Sequence, residues 1–118
     1  METMRIHLGS VDQIPLGQGR CFMVGEYPVG IFRLRDGRLF AIENRCPHLG
    51  GPLADGIVGG TQVVCPLHGH KFDFVTGKGS EGHECVRTYK VFTENNNVVL
   101  TFVFPKLSAE KKNCHSTV

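Results

Sequence analysis

Short apolar runs rich in β-branched and aromatic residues recur along the chain, separated by Gly, Pro, Asn and Asp. Phe22–Gly25 and Val29–Arg35 are two such runs, and each predicts a strand. Asp36-Gly37 separates Ile31-Phe32-Arg33-Leu34-Arg35 from Arg38-Leu39-Phe40-Ala41-Ile42. Asp and Gly tolerate positive φ, so this dipeptide predicts a hairpin. Gln62–Val64 and Lys71–Val75 predict short strands, with a turn at Thr76-Gly77. Val86–Phe92 and Val98–Phe104 predict a second hairpin, closed over Glu94–Asn97 and ended by Pro105. Between the hairpins lie two stretches with no periodicity, Asn44–Gly60 and Cys65–His70, dominated by Gly, Pro, Cys and His. A loop that long in so small a domain calls for a functional reason.

Composition sharpens this into an all-β reading. The chain has 118 residues, enough for one domain. Fifteen are glycine and only three are alanine, so turns are plentiful and helix formers scarce. Domain boundaries fall at 1–105, with a polar tail at 106–118 that lacks periodicity and is expected to be disordered or frayed helix. Lys and Arg number 13 against 11 Asp and Glu, a net charge of +2. Lys106, Lys111 and Lys112 against Glu110 account for all of that excess, so the body is neutral and nucleic acid is not an expected partner. No apolar run approaches the ~18 residues of a membrane span. Met1-Glu2-Thr3-Met4-Arg5 leads into no apolar segment, so neither export nor a membrane partner is expected. Five cysteines are an odd number and too few for a disulfide scaffold; a cytoplasmic location with thiols used otherwise is the expectation.

Two segments concentrate the chemistry, Cys46-Pro47-His48-Leu49-Gly50-Gly51 and Cys65-Pro66-Leu67-His68-Gly69-His70. Each offers a thiolate and an imidazole, in the pattern C-x-H, sixteen residues, C-x-x-H. Four such donors on two loops make a metal site of Cys46, His48, Cys65 and His68. One reading is a structural zinc module with two Cys and two His ligands, although zinc spacings usually keep like ligands together and here each pair is mixed. The other is a [2Fe–2S] centre with two Cys on one iron and two His on the other.

The second reading is reinforced by a resemblance. C-P-H-L-G-G followed by C-P-L-H-G-H-K-F-D resembles the Rieske ferredoxin signature, over roughly Val24–Phe104. The resemblance implies an antiparallel β-sandwich base carrying a small cluster-binding subdomain made of the two loops. It implies that Cys46 and Cys65 bind the inner iron, and His48 and His68 the outer one. Charges of two ferric ions, two sulfides and two thiolates cancel, which eases reduction relative to a cluster held by thiolates alone; such centres span roughly −150 to +300 mV. High-potential members carry a disulfide between the loops at positions that resemble Gly51 and Leu67, and a Ser and a Tyr at positions that resemble His70 and Phe72. Their absence implies a low-potential carrier.

Within the family, Phe40–His48, Gly50–Gly60 and Cys85–Val91 look like the small subunit of an assimilatory NAD(P)H-dependent nitrite reductase, whose large subunit bears flavin and sirohaem. The alternative is a shuttle ferredoxin of a ring-hydroxylating dioxygenase, which Cys65–His68 and Phe72–Gly77 also suit. Either way the chain is expected to have no catalytic site of its own and to relay electrons to a redox partner. Remaining residues have plainer expectations. Gly50, Gly51, Gly59, Gly60 and Gly69 free the loop backbone, and Pro47, Pro52 and Pro66 stiffen it. His70 has two readings, a neighbour that tunes the cluster or an exposed imidazole, and the second is favoured; His7, His83 and His115 are expected at the surface. Cys21, Cys85 and Cys114 are expected as free thiols, the first two in the core. Arg33, Arg35, Arg38 and Arg45 against Asp36 and Glu43 suggest a basic patch that could dock an acidic partner.

Overall fold

The computed structural model describes residues 3–46, 51–67, 69–80 and 84–103. Nine strands run in chain order: β1 (Thr3–Ser10), β2 (Gln18–Val24), β3 (Tyr27–Arg33), β4 (Leu39–Glu43), β5 (Ile57–Gly59), β6 (Gln62–Val64), β7 (Lys71–Asp73), β8 (Thr88–Glu94) and β9 (Asn97–Val103). Two single turns of 3-10 helix, Val11–Gln13 and Leu53–Asp55, join them, and the described residues contain no α-helix. Every strand pair is antiparallel. Six strands form one sheet in the order β1-β9-β8-β4-β3-β2, and three form a second, β5-β6-β7.

Both predicted hairpins form, and of Asp36-Gly37 only the glycine takes positive φ. Gly37 sits at φ +94° in the β3–β4 turn. Asn95 and Asn96 take φ of 52° and 66° between β8 and β9, the paired left-handed residues of a tight hairpin. β9 lies between β1 and β8, which is why Val98, Val99, Leu100 and Phe102 are all buried in a run with little polar interruption. Strand β1 is not among the predicted elements; its Met4-Ile6-Leu8 alternation carries the signal, with Ile6 and Leu8 packed on the core. β2 also starts earlier than expected, at Gln18 rather than Phe22.

Two apolar cores result. Val29, Ile31, Ala41, Val98, Leu100 and Phe102, all on strands of the large sheet, form one. Phe32, Ile42, Leu53, Val63, Phe72, Phe74 and Val86 form the other, under the small sheet, and it includes Cys46 and Cys65. Within the small sheet, β6 passes so close to the residue before β5 that no side chain fits there: a Cβ on Gly56 would stand 2.2 Å from the Val64 carbonyl oxygen. Asn44, the buried polar residue among those described, joins the layers: its Oδ1 accepts from the Ala54 N–H at 2.6 Å, and its own N–H donates to the Pro28 carbonyl at 2.9 Å.

Candidate metal centre

Both cysteine loops leave the ends of strands held in the second core. The first follows β4. Glu43, its last residue, donates its N–H to the Arg87 carbonyl at 2.8 Å and accepts the Arg87 N–H on Oε1 at 3.1 Å. Asn44 then anchors the turn at Leu53–Asp55, and the Cys46 N–H donates to the Gly51 carbonyl at 2.8 Å. Cys46 and Gly51 therefore close the root of the first loop. The second loop follows β6. The Cys65 N–H donates to the His70 carbonyl at 2.7 Å, and the Gly69 N–H donates to the Cys65 carbonyl at 3.1 Å. Gly69 reaches this turn at φ +76°, where a side chain would be strained.

The loops meet at Gly51. A Cβ there would stand 2.9 Å from Leu67 Cδ1 and 3.4 Å from Cys65 Sγ. Gly51 is buried, whereas Leu67 is 51% exposed, so the leucine caps the glycine from outside. These are the two positions read above as lacking an interloop disulfide; an apolar contact stands there instead.

Of the four predicted ligands, Cys46 and Cys65 are described; His48 and His68 lie outside the described residues, as do Pro47, Leu49 and Gly50. Both thiols are buried, at 1% and 2% exposure, and neither is in a disulfide. Two unbridged thiols at the roots of facing loops, with a glycine between whose missing side chain leaves room beside Cys65 Sγ, fit a soft-metal cluster by donor chemistry and space.

Several other expectations are corrected. His70 is not a solvent-facing imidazole: its Nδ1 lies 2.7 Å from Glu84 Oε1, and both side chains are only 18% exposed. Sequence spacing gave no signal for this pair, because fourteen residues separate the partners. Cys21 is exposed on the edge strand β2, not in the core. Cys85 is buried as expected but disulfide-bonded, not free. His7 is exposed, and His83, Cys114 and His115 lie outside the described residues. The arginines do not form one patch. Arg33 turns inward, its Nη1 donating to the Ile14 and Val11 carbonyls at 3.0 and 3.4 Å. Arg38 pairs with Asp36 at 2.8 Å beyond the start of β4, and Arg45 lies past its other end. A 350 Å³ cleft lined by Gly17, Leu34, Arg35, Arg38, Val58 and Gly60 lies at the turn end of β3 and β4.

Comparison with known proteins agrees with this geometry. A model of the Rieske [2Fe-2S] domain matches residues 4–93. The ferredoxin component of naphthalene 1,2-dioxygenase/salicylate 5-hydroxylase systems from Ralstonia sp is 31% identical over 97 residues, covering 80% of this chain and 92% of that protein. Among solved structures, the ferredoxin of carbazole 1,9a-dioxygenase from Nocardioides aromaticivorans IC177 superposes with a TM-score of 0.74 at 27% identity, covering 81% of this chain and 95% of its own. A Mycobacterium tuberculosis protein assigned as an NADH-dependent nitrite reductase small subunit gives 0.80 at 22% identity, covering 88% and 99%, a likeness of fold. No helix among the described residues is long and apolar enough to cross a membrane. With the family model spanning most of its length and the cysteine loops built to suit, the chain belongs to the Rieske [2Fe-2S] family and is an electron-transfer protein with a Rieske-type [2Fe–2S] cluster as its cofactor.

Proposed function

We propose that Cys46 and Cys65 hold one iron and His48 and His68 the other, and that the chain is the small, electron-delivering subunit of an assimilatory NAD(P)H-dependent nitrite reductase. The observation that carries the ligand set is the pair of buried thiols, neither in a disulfide, that share one apolar core, with Gly51 closing the Cys46 loop and lying beside Cys65 Sγ. When bound, the cluster supplies a one-electron couple within roughly −150 to +300 mV. The chain's own contribution is to hold the thiols out of water and fix the loop backbones. The Cys46 and Cys65 N–H groups are both committed to loop carbonyls, Gly51 and His70, so each thiol springs from a closed turn. The residues that resemble high-potential donors are absent: Phe72 is fully buried and carries no hydroxyl, and Leu67 rests on Gly51. The couple therefore belongs in the lower part of that range, and a midpoint near its upper end would refute this.

The partner assignment rests on residue stretches: Gly50-Gly51-Pro52-Leu53, Gly56-Ile57-Val58-Gly59 and Cys85–Val91. A second reading, a shuttle ferredoxin for a ring-hydroxylating dioxygenase, is favoured by the 31% identity to a dioxygenase-system ferredoxin component. Two experiments test these. Purified protein should be red-brown, with about two irons and two labile sulfides per chain, and should lose them on replacement of His48 or His68 but not of His7. Stoichiometric zinc without iron would overturn the ligand assignment. Deleting the gene should abolish growth on nitrite as sole nitrogen source and leave growth on ammonium normal. Normal growth on nitrite with loss of aromatic-ring hydroxylation would assign the chain to the dioxygenase instead.

A further inference from the structure

We propose that Glu84 is a positioning residue for the second ligand loop, holding His70 and through it the backbone of Cys65; this rests on the reading of Cys65 and His68 as ligands. The loop has only four residues between Cys65 and His70, and its closure runs through His70: the Cys65 N–H donates to the His70 carbonyl at 2.7 Å. Whatever fixes His70 therefore fixes the peptide that carries the Cys65 thiol. The His70 side chain is held by a carboxylate. Nδ1–H donates to Glu84 Oε1 at 2.7 Å, with both groups largely out of solvent at 18% exposure. A bond so short and so shielded from water is costly to leave unmade.

Glu84 can act as an anchor because its own backbone is laced down. Its carbonyl accepts from the Gly79 N–H at 2.8 Å, and its neighbour Cys85 bridges Lys78. Ser80 returns to the residue just past the loop: its N–H donates to the Lys71 carbonyl at 2.8 Å, and its Oγ accepts the Lys71 N–H at 3.0 Å. Gly79 leaves no slack, since a Cβ there would stand 2.8 Å from Phe72 Cε1 and 3.1 Å from Glu84 Cβ. The second loop is thus gripped at Lys71 by backbone and at His70 by a side chain, both from the segment ending in Glu84. Partners one step removed from the ligands orient them and are felt in the metal centre. By contrast, the Asp36–Arg38 pair is exposed, at 54% and 57%, and sits in the turn between β3 and β4, where it touches neither loop.

The test uses cluster-loaded full-length protein with Glu84→Ala, Glu84→Gln and Glu84→Asp, and Asp36→Ala as control. Glu84→Ala should broaden or split the EPR signal of the reduced protein. It should speed hydrogen exchange in a peptide covering residues 64–71 at least tenfold, and speed iron loss to a chelator at least threefold. Glu84→Gln, which keeps an acceptor at the same reach, should restore the wild-type EPR line shape and exchange, and Asp36→Ala should match wild type. If Glu84→Ala fails to fold, Glu84→Asp, one methylene short, carries the same expectations at smaller size. Wild-type EPR and exchange in Glu84→Ala, or in Glu84→Asp where it stands in, would overturn the positioning role while leaving the ligands intact. A wild-type chain that binds zinc and no iron would instead overturn the ligand reading, and this inference with it.

Discussion

Leu67 lies over Gly51 across the two cysteine loops, close enough that a Cβ on the glycine would stand 2.9 Å from Leu67 Cδ1. The leucine is half exposed and can swing outward, so Gly51→Ala should cost less than about 1 kcal/mol and keep the cluster. Gly51→Val adds branches toward Cys65 Sγ, which is 3.4 Å from the Cβ position, and should cost about 2–3 kcal/mol with reduced iron content. Combining Leu67→Ala with Gly51→Val should recover part of the melting temperature, because the two sites share one contact. Purely additive losses would show that Leu67 is not what the valine meets.

Gly77 and Gly60 separate two kinds of glycine requirement. Both have positive φ, +80° and +60°, but a Cβ at Gly77 would stand 2.2 Å from the Val86 carbonyl oxygen, whereas nothing lies within 4 Å of one at Gly60. Gly60→Ala should carry only the left-handed backbone cost, about 1 kcal/mol. Gly77→Ala must also part the Val86–Gly77 backbone contact and should cost about 3 kcal/mol or more. Melting temperatures of the two variants side by side check this; equal losses would contradict it.

Asn44→Ala removes the acceptor that the Ala54 N–H meets at 2.6 Å inside the protein. A buried donor left unsatisfied costs about 1–3 kcal/mol. Leu53 and Ala54 of that turn share an apolar core with Cys46, so the variant should lose iron to a chelator faster than wild type as well as melt earlier. Early melting with unchanged iron retention would limit Asn44 to a packing role.

Tyr89 stays protonated well into alkali. Burial first, then the nearby Glu43 carboxylate, raise its phenol from 10.0 to about 12, against a smaller opposing effect of Arg87. A folded-state value above the unfolded one means the native state holds the proton longer. Its stability contribution is therefore complete below about pH 10 and is lost as pH rises toward 12. Tyr89→Phe should lack that loss. The difference between wild-type and Tyr89→Phe phenolate absorbance should titrate near pH 12. A midpoint at the ordinary tyrosine value would refute the burial argument.

Much of this molecule is written in local sequence. Asp36-Gly37 and Asn95-Asn96 mark turns because their residues accept positive φ wherever they stand, and the hairpins follow. The two Cys/His segments announce a metal centre through donor type and spacing alone. What tertiary structure decided is which side of each element faces what. Cys21 sits in an apolar run yet is exposed, because β2 falls at the edge of the six-stranded order. Arg33, Arg38 and Arg45 are near in sequence yet part ways, because β3 and β4 carry them to different faces and ends. Glu84 finds His70 only once the chain after β7 folds back along it, and Asn44 finds Ala54 only once the turn at Leu53–Asp55 packs beside β2 and β3. Turn chemistry and ligand type are properties of a few adjacent residues, whereas burial and partnership depend on strand order, which no short window of sequence contains.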